Sequence, residues 1–155
     1  MERFVRQAVA QDIGVVLAAL SPRMEQELPL LFPALSEPDR RRTVVRQALQ
    51  AVAAAQASTF VADEMPVCVL VWARDAEGWS IMTLATEPFY APAFLRLSRR
   101  HLDAIQTELG EEIVAHTRSD HPRADPWLRF LGFARRPQGQ GGAPRYVRPW
   151  PRGRT

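Results

Sequence analysis

Apolar and polar residues alternate from Phe4 to Val9, which predicts a half-buried strand. The period then changes. Asp12 opens a helix in which Ile13, Val16, Leu17 and Leu20 share one face, and Ser21-Pro22 ends it. From Met24 to Leu35 the chain is apolar but broken by Pro29 and Pro33, so a short helix or an irregular lid is expected. Ser36, with Asp39 three residues on, predicts a capped helix from Pro38 to about Gln56. Its inner face would carry Val45, Leu49 and Val52, and its outer face Arg40, Arg41, Arg42 and Arg46. Thr59 to Ala62 reads as a short strand, and Val67 to Ala73 as a fully buried one. Asp75-Ala76-Glu77-Gly78 is turn chemistry, so Met65 to Ala85 should be a hairpin whose second strand begins at Trp79.

The longest helix is expected from Ala91 to Leu109. Leu95, Leu102, Ile105 and Leu109 repeat on one stripe, and Arg96, Arg99, Arg100 and Asp103 lie opposite. Gly110 stops it. A strand from Glu112 to Thr117, a helix from Arg123 to Leu131 and a strand starting at Phe133 follow. Gln138 to Pro144 is a Gly-rich loop, and Arg145 to Trp150 can return as a last strand. The order implies an α/β protein: one mixed sheet of six or seven strands with helices on both faces. The strand–long helix–strand unit around Ala91 to Leu109 should be a parallel crossover.

Length and composition narrow this picture. With 155 residues, 46% of them hydrophobic and 24% charged, the chain suits one domain with an ordinary core. Residues 1–136 are expected to form that domain, and 137–155 a basic Pro/Gly/Arg-rich segment whose removal should leave the fold intact. Residues 1–125 carry 13 Arg and all 17 acids, a net of −4; residues 126–155 carry 7 Arg and no acid, a net of +7. Such a segment suits an acidic protein surface or phosphate, which nominates Arg145, Arg148, Trp150, Arg152 and Arg154 for partner binding. The charged N-terminus does not read as a signal peptide, and no apolar run is long enough to span a membrane. Cys68 lies within an apolar strand and reads as an inert buried thiol. His116, Asp120 and His121 fit no standard metal spacing, so no metal is expected. Gly139, Gly141 and Gly142 precede no helix and do not read as a phosphate loop.

The element order, with Val5-Arg6-Gln7-Ala8 leading to Asp12 and Leu131-Gly132-Phe133 near the end, resembles the GCN5-related N-acetyltransferase (GNAT) superfamily over roughly residues 4–136. That resemblance implies a GNAT-like fold and a loop after the strand ending at Ala85, glycine-rich in active members, that holds the pyrophosphate of acetyl-coenzyme A. Here the same place reads Thr86-Glu87-Pro88-Phe89-Tyr90-Ala91-Pro92. Glu87 adds negative charge, Pro88 and Pro92 remove donors, and Phe89 and Tyr90 add bulk. The position of the family's general-acid tyrosine is Leu128, and that of a preceding asparagine is His121. Asp63, Glu64 and His116 are base candidates by location alone.

Trp127-Leu128-Arg129-Phe130-Leu131-Gly132-Phe133 is similar to the close of degenerate acetyltransferase-like internal virion proteins of tailed phages. The leading expectation is therefore a non-catalytic virion or assembly component without a cofactor, found in the virion or the bacterial cytoplasm. It would contact other virion proteins, or packaged nucleic acid through its basic tail. The alternative is an active N-acetyltransferase that binds acetyl-coenzyme A through Arg96, Arg99 or Arg100. A third reading is a ligand sensor that keeps the cleft of the fold.

Overall fold

The computed structural model describes residues 2–117, 121–137 and 145–151. Its strands are β1 (Arg3–Gln7), β2 (Ala57–Ala62), β3 (Met65–Asp75), β4 (Gly78–Ala85), β5 (Ile113–His116), β6 (Ala134–Arg136) and β7 (Arg145–Arg148). Its helices are α1 (Ala10–Ala18), α2 (Pro22–Leu31), α3 (Glu37–Ala53), α4 (Pro92–Leu109) and α5 (Ala124–Phe130), with a 3₁₀ helix at Glu87–Tyr90. The seven strands make one sheet in the order β1-β2-β3-β4-β5-β7-β6. Every neighbouring pair is antiparallel except β4 and β5, which run parallel as the crossover through α4 requires.

The alternation of β2 assigns the helix layers. Thr59 donates its hydroxyl to Asp12 of α1 at 2.7 Å, so that face carries α1 and, beside it, α3. Ser58 and Phe60 point the other way, to His101 (Nε2 to hydroxyl, 2.8 Å) and Phe94 (6.4 Å between ring centres) of α4. Phe60, Phe89 and Phe94 form the aromatic centre of this second layer, all of them buried. α5 joins the same layer. Gly132 ends it at φ +100°, a conformation open to glycine, and Phe133 N–H closes on the Leu128 carbonyl at 3.0 Å.

Two expectations change here. The buried face of α3 is Val44, Ala48 and Ala51, while Leu49 is 42% exposed. Alanines let α3 approach the sheet closely, and the larger leucine is left at the rim. The basic segment supplies the last strand expected from Arg145 to Trp150, but as an inner strand and not an edge one. Within 137–155, Arg145–Arg148 forms β7, which lies between β5 and β6 and buries Tyr146 and Val147. Removing it would split the sheet, contrary to the expectation from composition.

Asp12 is the main polar anchor of the first layer. Its carboxylate takes two hydrogen bonds from Arg6 (2.7 and 2.8 Å), one from Val9 N–H at the start of α1, and one from Thr59. Burial pushes the carboxyl up, and these donors more than offset it, holding it at about 2 against 3.8 for a free aspartate. A depressed folded-state value means that the stabilisation is complete above pH 4 and is lost as pH falls toward 2. We expect Asp12→Asn to lower stability at pH 7 by roughly 2 kcal/mol, with the difference from wild type shrinking over that acid window in urea melts.

Candidate active site

β4 and β5 pair over only three positions, Trp79–Ile81 against Ile113–Ala115. Beyond them, Met82 to Ala85 of β4 continue against β3, whereas β5 ends at His116 against Arg145 of β7. The two parallel strands therefore part, and a cleft of about 350 Å³ opens between them. That is within the usual range for small-molecule sites. Met24, Glu27, Leu28 and Leu31 of α2 line one side of it. Ser98 and Leu102 of α4, with Trp127 and Leu128 of α5, line the other. The cleft thus reaches both faces of the sheet.

Most of the lining is apolar, with a few convergent polar groups. Thr117 donates its hydroxyl to Glu27 Oε1 at 2.9 Å, and His116 and His121 lie beside them. Tyr90 enters from the 3₁₀ helix, with the Arg23 guanidinium 4.2 Å from its ring centre. Burial raises the Tyr90 hydroxyl above its ordinary value, so it stays protonated at neutral pH.

The junction from β4 to α4 has a different character. Phe89 N–H donates to Thr86 O (3.2 Å), Ala91 N–H to Pro88 O (3.3 Å), and Phe94 and Leu95 N–H to Ala91 O (3.0 and 3.3 Å). Thr86 ties its N–H and hydroxyl to Val67 O, both at 2.9 Å. Phe89 is 2% exposed and meets Phe60, Phe94, Tyr90 and Trp127. The N–H groups of Thr86, Phe89, Ala91, Phe94 and Leu95 are thus engaged, Pro88 and Pro92 have none, and aromatic rings fill the space beneath.

Of the residues singled out from sequence, His116 does line the cleft. Asp63 and Glu64 do not: they form the β2–β3 turn at φ +48° and +68°, and Asp63 accepts Glu2 N–H. Arg96, Arg99 and Arg100 stay on the exposed stripe of α4 outside the cleft, and Arg99 lies 5.2 Å from the Phe130 ring centre on α5. Arg148 is fully buried. It donates Nε to Leu131 O (2.8 Å) and Nη1 to Gln106 Oε1 (2.6 Å), and it pairs with Asp103. It is an internal tie between β7, α4 and α5 and has no surface to offer a partner. Arg145 is half-buried and Trp150 is 41% exposed. Arg152, Arg154, Asp120 and the loop glycines 139, 141 and 142 lie outside the described residues. Cys68 is fully buried, and burial raises its thiol. Among the described residues no cluster of His, Cys, Asp or Glu could hold a metal, and no helix is long and apolar enough to cross a membrane. Glu27, Thr117 and Tyr90 were not legible as a site from sequence.

A mixed sheet of this order, opened between its one parallel pair, defines the GNAT acetyltransferase fold, and the chain has that fold. Solved structures bear this out. A PaiA N-acetyltransferase from Thermoplasma acidophilum, in complex with coenzyme A, superposes with a TM-score of 0.69 at 12% identity, over 97% of this chain and 100% of that one. AAC(6')-Ib, solved with paromomycin and acetyl-coenzyme A, gives 0.69 at 14%, over 100% and 99%. A GNAT-family acetyltransferase from Bacillus anthracis gives 0.63 at 12%, over 95% and 93%. No protein-family model and no curated protein sequence matches the chain. The expected kinship with phage virion proteins finds no support: the similar structures are named as acetyltransferases or, like AAC(6')-Ib, were solved with acetyl-coenzyme A. The expectation of a non-catalytic virion component is corrected accordingly. Its sequence grounds also weaken, because the cleft is open despite Leu128, and part of the basic tail is a strand of the sheet.

Proposed function

We propose that this protein is an N-acyltransferase that binds an acyl thioester between β4 and β5 and passes the acyl group to an amine on the α2 side. The observation that carries this reading is the cleft itself, apolar along its length and polar where Glu27, Thr117 and His116 meet. Two similar structures support it, a PaiA N-acetyltransferase with coenzyme A and AAC(6')-Ib with acetyl-coenzyme A.

The residues suit the two ends of an acyl-coenzyme A unequally. From Met82 to Leu84, β4 pairs with β3 alone, which leaves a strand edge for an extended amide chain such as a pantetheine arm. Pro88 and Pro92, which lack an N–H, and the exposed Glu87 at the start of the 3₁₀ helix do not suit a pyrophosphate.

In the reaction the amine nitrogen bonds to the thioester carbonyl carbon, the carbon–sulfur bond breaks, and a proton moves from nitrogen to a base. The chain's own groups supply the setting. Leu28, Leu31 and Leu128 exclude water around the carbonyl. Glu27, held by Thr117, and His116 are the acceptors nearest the α2 side. Tyr90, protonated and hydrogen-bonded with Ser21, is the hydroxyl assigned to a departing sulfur where the family's tyrosine position is leucine.

A thiol-release assay with acetyl-pantetheine and a panel of primary amines tests this. Acceptor-dependent release is expected, with Glu27→Gln and His116→Ala lowering kcat by about 10²-fold or more in at least one case. Release that is independent of every amine, and unchanged in both variants, would overturn the reading.

A further inference from the structure

The mismatch at the β4–α4 junction bears on which donor the cleft receives. The arm-binding half of the site is present, and the nucleotide-binding half is replaced by a 3₁₀ turn, two prolines and a buried phenylalanine. Cationic side chains are nevertheless abundant nearby. Arg96, Arg99 and Arg100 project from α4, Arg129 from α5 and Arg123 from just before it, all exposed. Among these Arg129 is paired, with Asp125 at 2.7 Å, and Arg99 rests on Phe130. The acid interrupting the α4 stripe, Asp103, is engaged by buried Arg148. Spread over α4 and the start and end of α5, these guanidinium groups make a wide basic surface. They match a broad acidic surface, where arginine's planar donors pair with carboxylates.

We infer that the donor is an acyl group on a phosphopantetheine arm carried by an acidic protein. The arm enters the β4/β5 cleft, and the α4–α5 arginines meet the carrier's carboxylates. This rests on the acyl-transfer reading above and names its donor. A carrier supplies the same thioester as coenzyme A but needs no pyrophosphate cradle, because charge pairs outside the cleft hold it. The bonds made and broken are those already given, with the carrier's sulfur as leaving group.

The test uses the full chain and three donors that share one arm: a bacterial acyl carrier protein bearing a stable acetyl-amide arm, the same amide on coenzyme A, and the same amide on free pantetheine. Binding is read by calorimetry. The carrier is expected to bind at least tenfold more tightly than either small donor, the carrier without its arm at least tenfold more weakly, and ADP not to compete. Arg96→Glu/Arg99→Glu/Arg100→Glu should weaken carrier binding at least tenfold, with an unchanged melting temperature showing that the variant is folded. Tighter binding of the coenzyme A form with competition by ADP would overturn the inference and leave acyl transfer standing. Equal binding of carrier with and without its arm would overturn it too. If no arm-bearing donor binds, the acyl-transfer reading fails and the inference with it.

Discussion

Arg148→Met is expected to destabilise the protein by about 3 kcal/mol, measured as a fall in the urea midpoint. The side chain is fully buried, so the loss cannot be made good by water. Without it the Leu131 carbonyl and the Gln106 side-chain carbonyl lose their donors inside the protein. Each unsatisfied buried acceptor costs about 1–3 kcal/mol. Gln106 would still donate to the carbonyls of Arg148 and Pro149, at 2.8 and 3.1 Å, but one side of its amide would face nothing. Asp103, half-exposed, can turn to solvent and adds little. The damage is local to the joint between β7, α4 and α5, which is also the wall that carries Leu128 and Leu131 into the cleft. Arg135→Ala is the control. It removes an arginine from the same basic stretch, but an exposed one, and should shift stability by less than about 0.5 kcal/mol. Equal, small effects from both would mean that Arg148 is a surface charge after all.

Thr83→Phe is expected to abolish thioester binding, by about 10²-fold or more, while the melting temperature falls only slightly. Thr83 is half-buried and faces the cleft from the stretch of β4 that has left β5 behind. A phenylalanine there suits a strand and extends into empty space instead of the packed core. It fills the volume an acyl arm would need. Thr83→Ser, which keeps the space, should bind as wild type does. Comparable loss in both variants would point to a structural role for Thr83 and away from occupancy of the cleft.

The strands were readable because their signals are local. The apolar run in β3 and the turn residues before Gly78 fix that hairpin without outside help. The phase of α3 was not readable, since alanine carries little hydrophobic weight and only the sheet beneath decides that Ala48 and Ala51 face inward. Charge counting misplaced Arg148 for a related reason. Its partners Asp103 and Gln106 are more than forty residues away, so a residue with all its donors engaged looked like part of a solvated tail. The candidate site was hidden in the same way. Glu27 and Thr117 are 90 positions apart and meet only because α2 lies over the gap where β5 ends. What the sequence did show was the local defect, the loop Thr86 to Pro92 with no glycine and two prolines. Read by itself, it argued against chemistry. Beside an open cleft, it argues only against one way of holding the donor.

The central claim is that an acyl-pantetheine arm lies between β4 and β5. An NMR titration of ¹⁵N-labelled protein with S-acetyl-pantetheine tests it most directly. The account predicts saturable shifts of the backbone amides of Met82, Thr83 and Leu84 and of His116 and Thr117, absent in Thr83→Phe. Shifts confined to the outer faces of α3 or α4, or none at millimolar ligand, would contradict it.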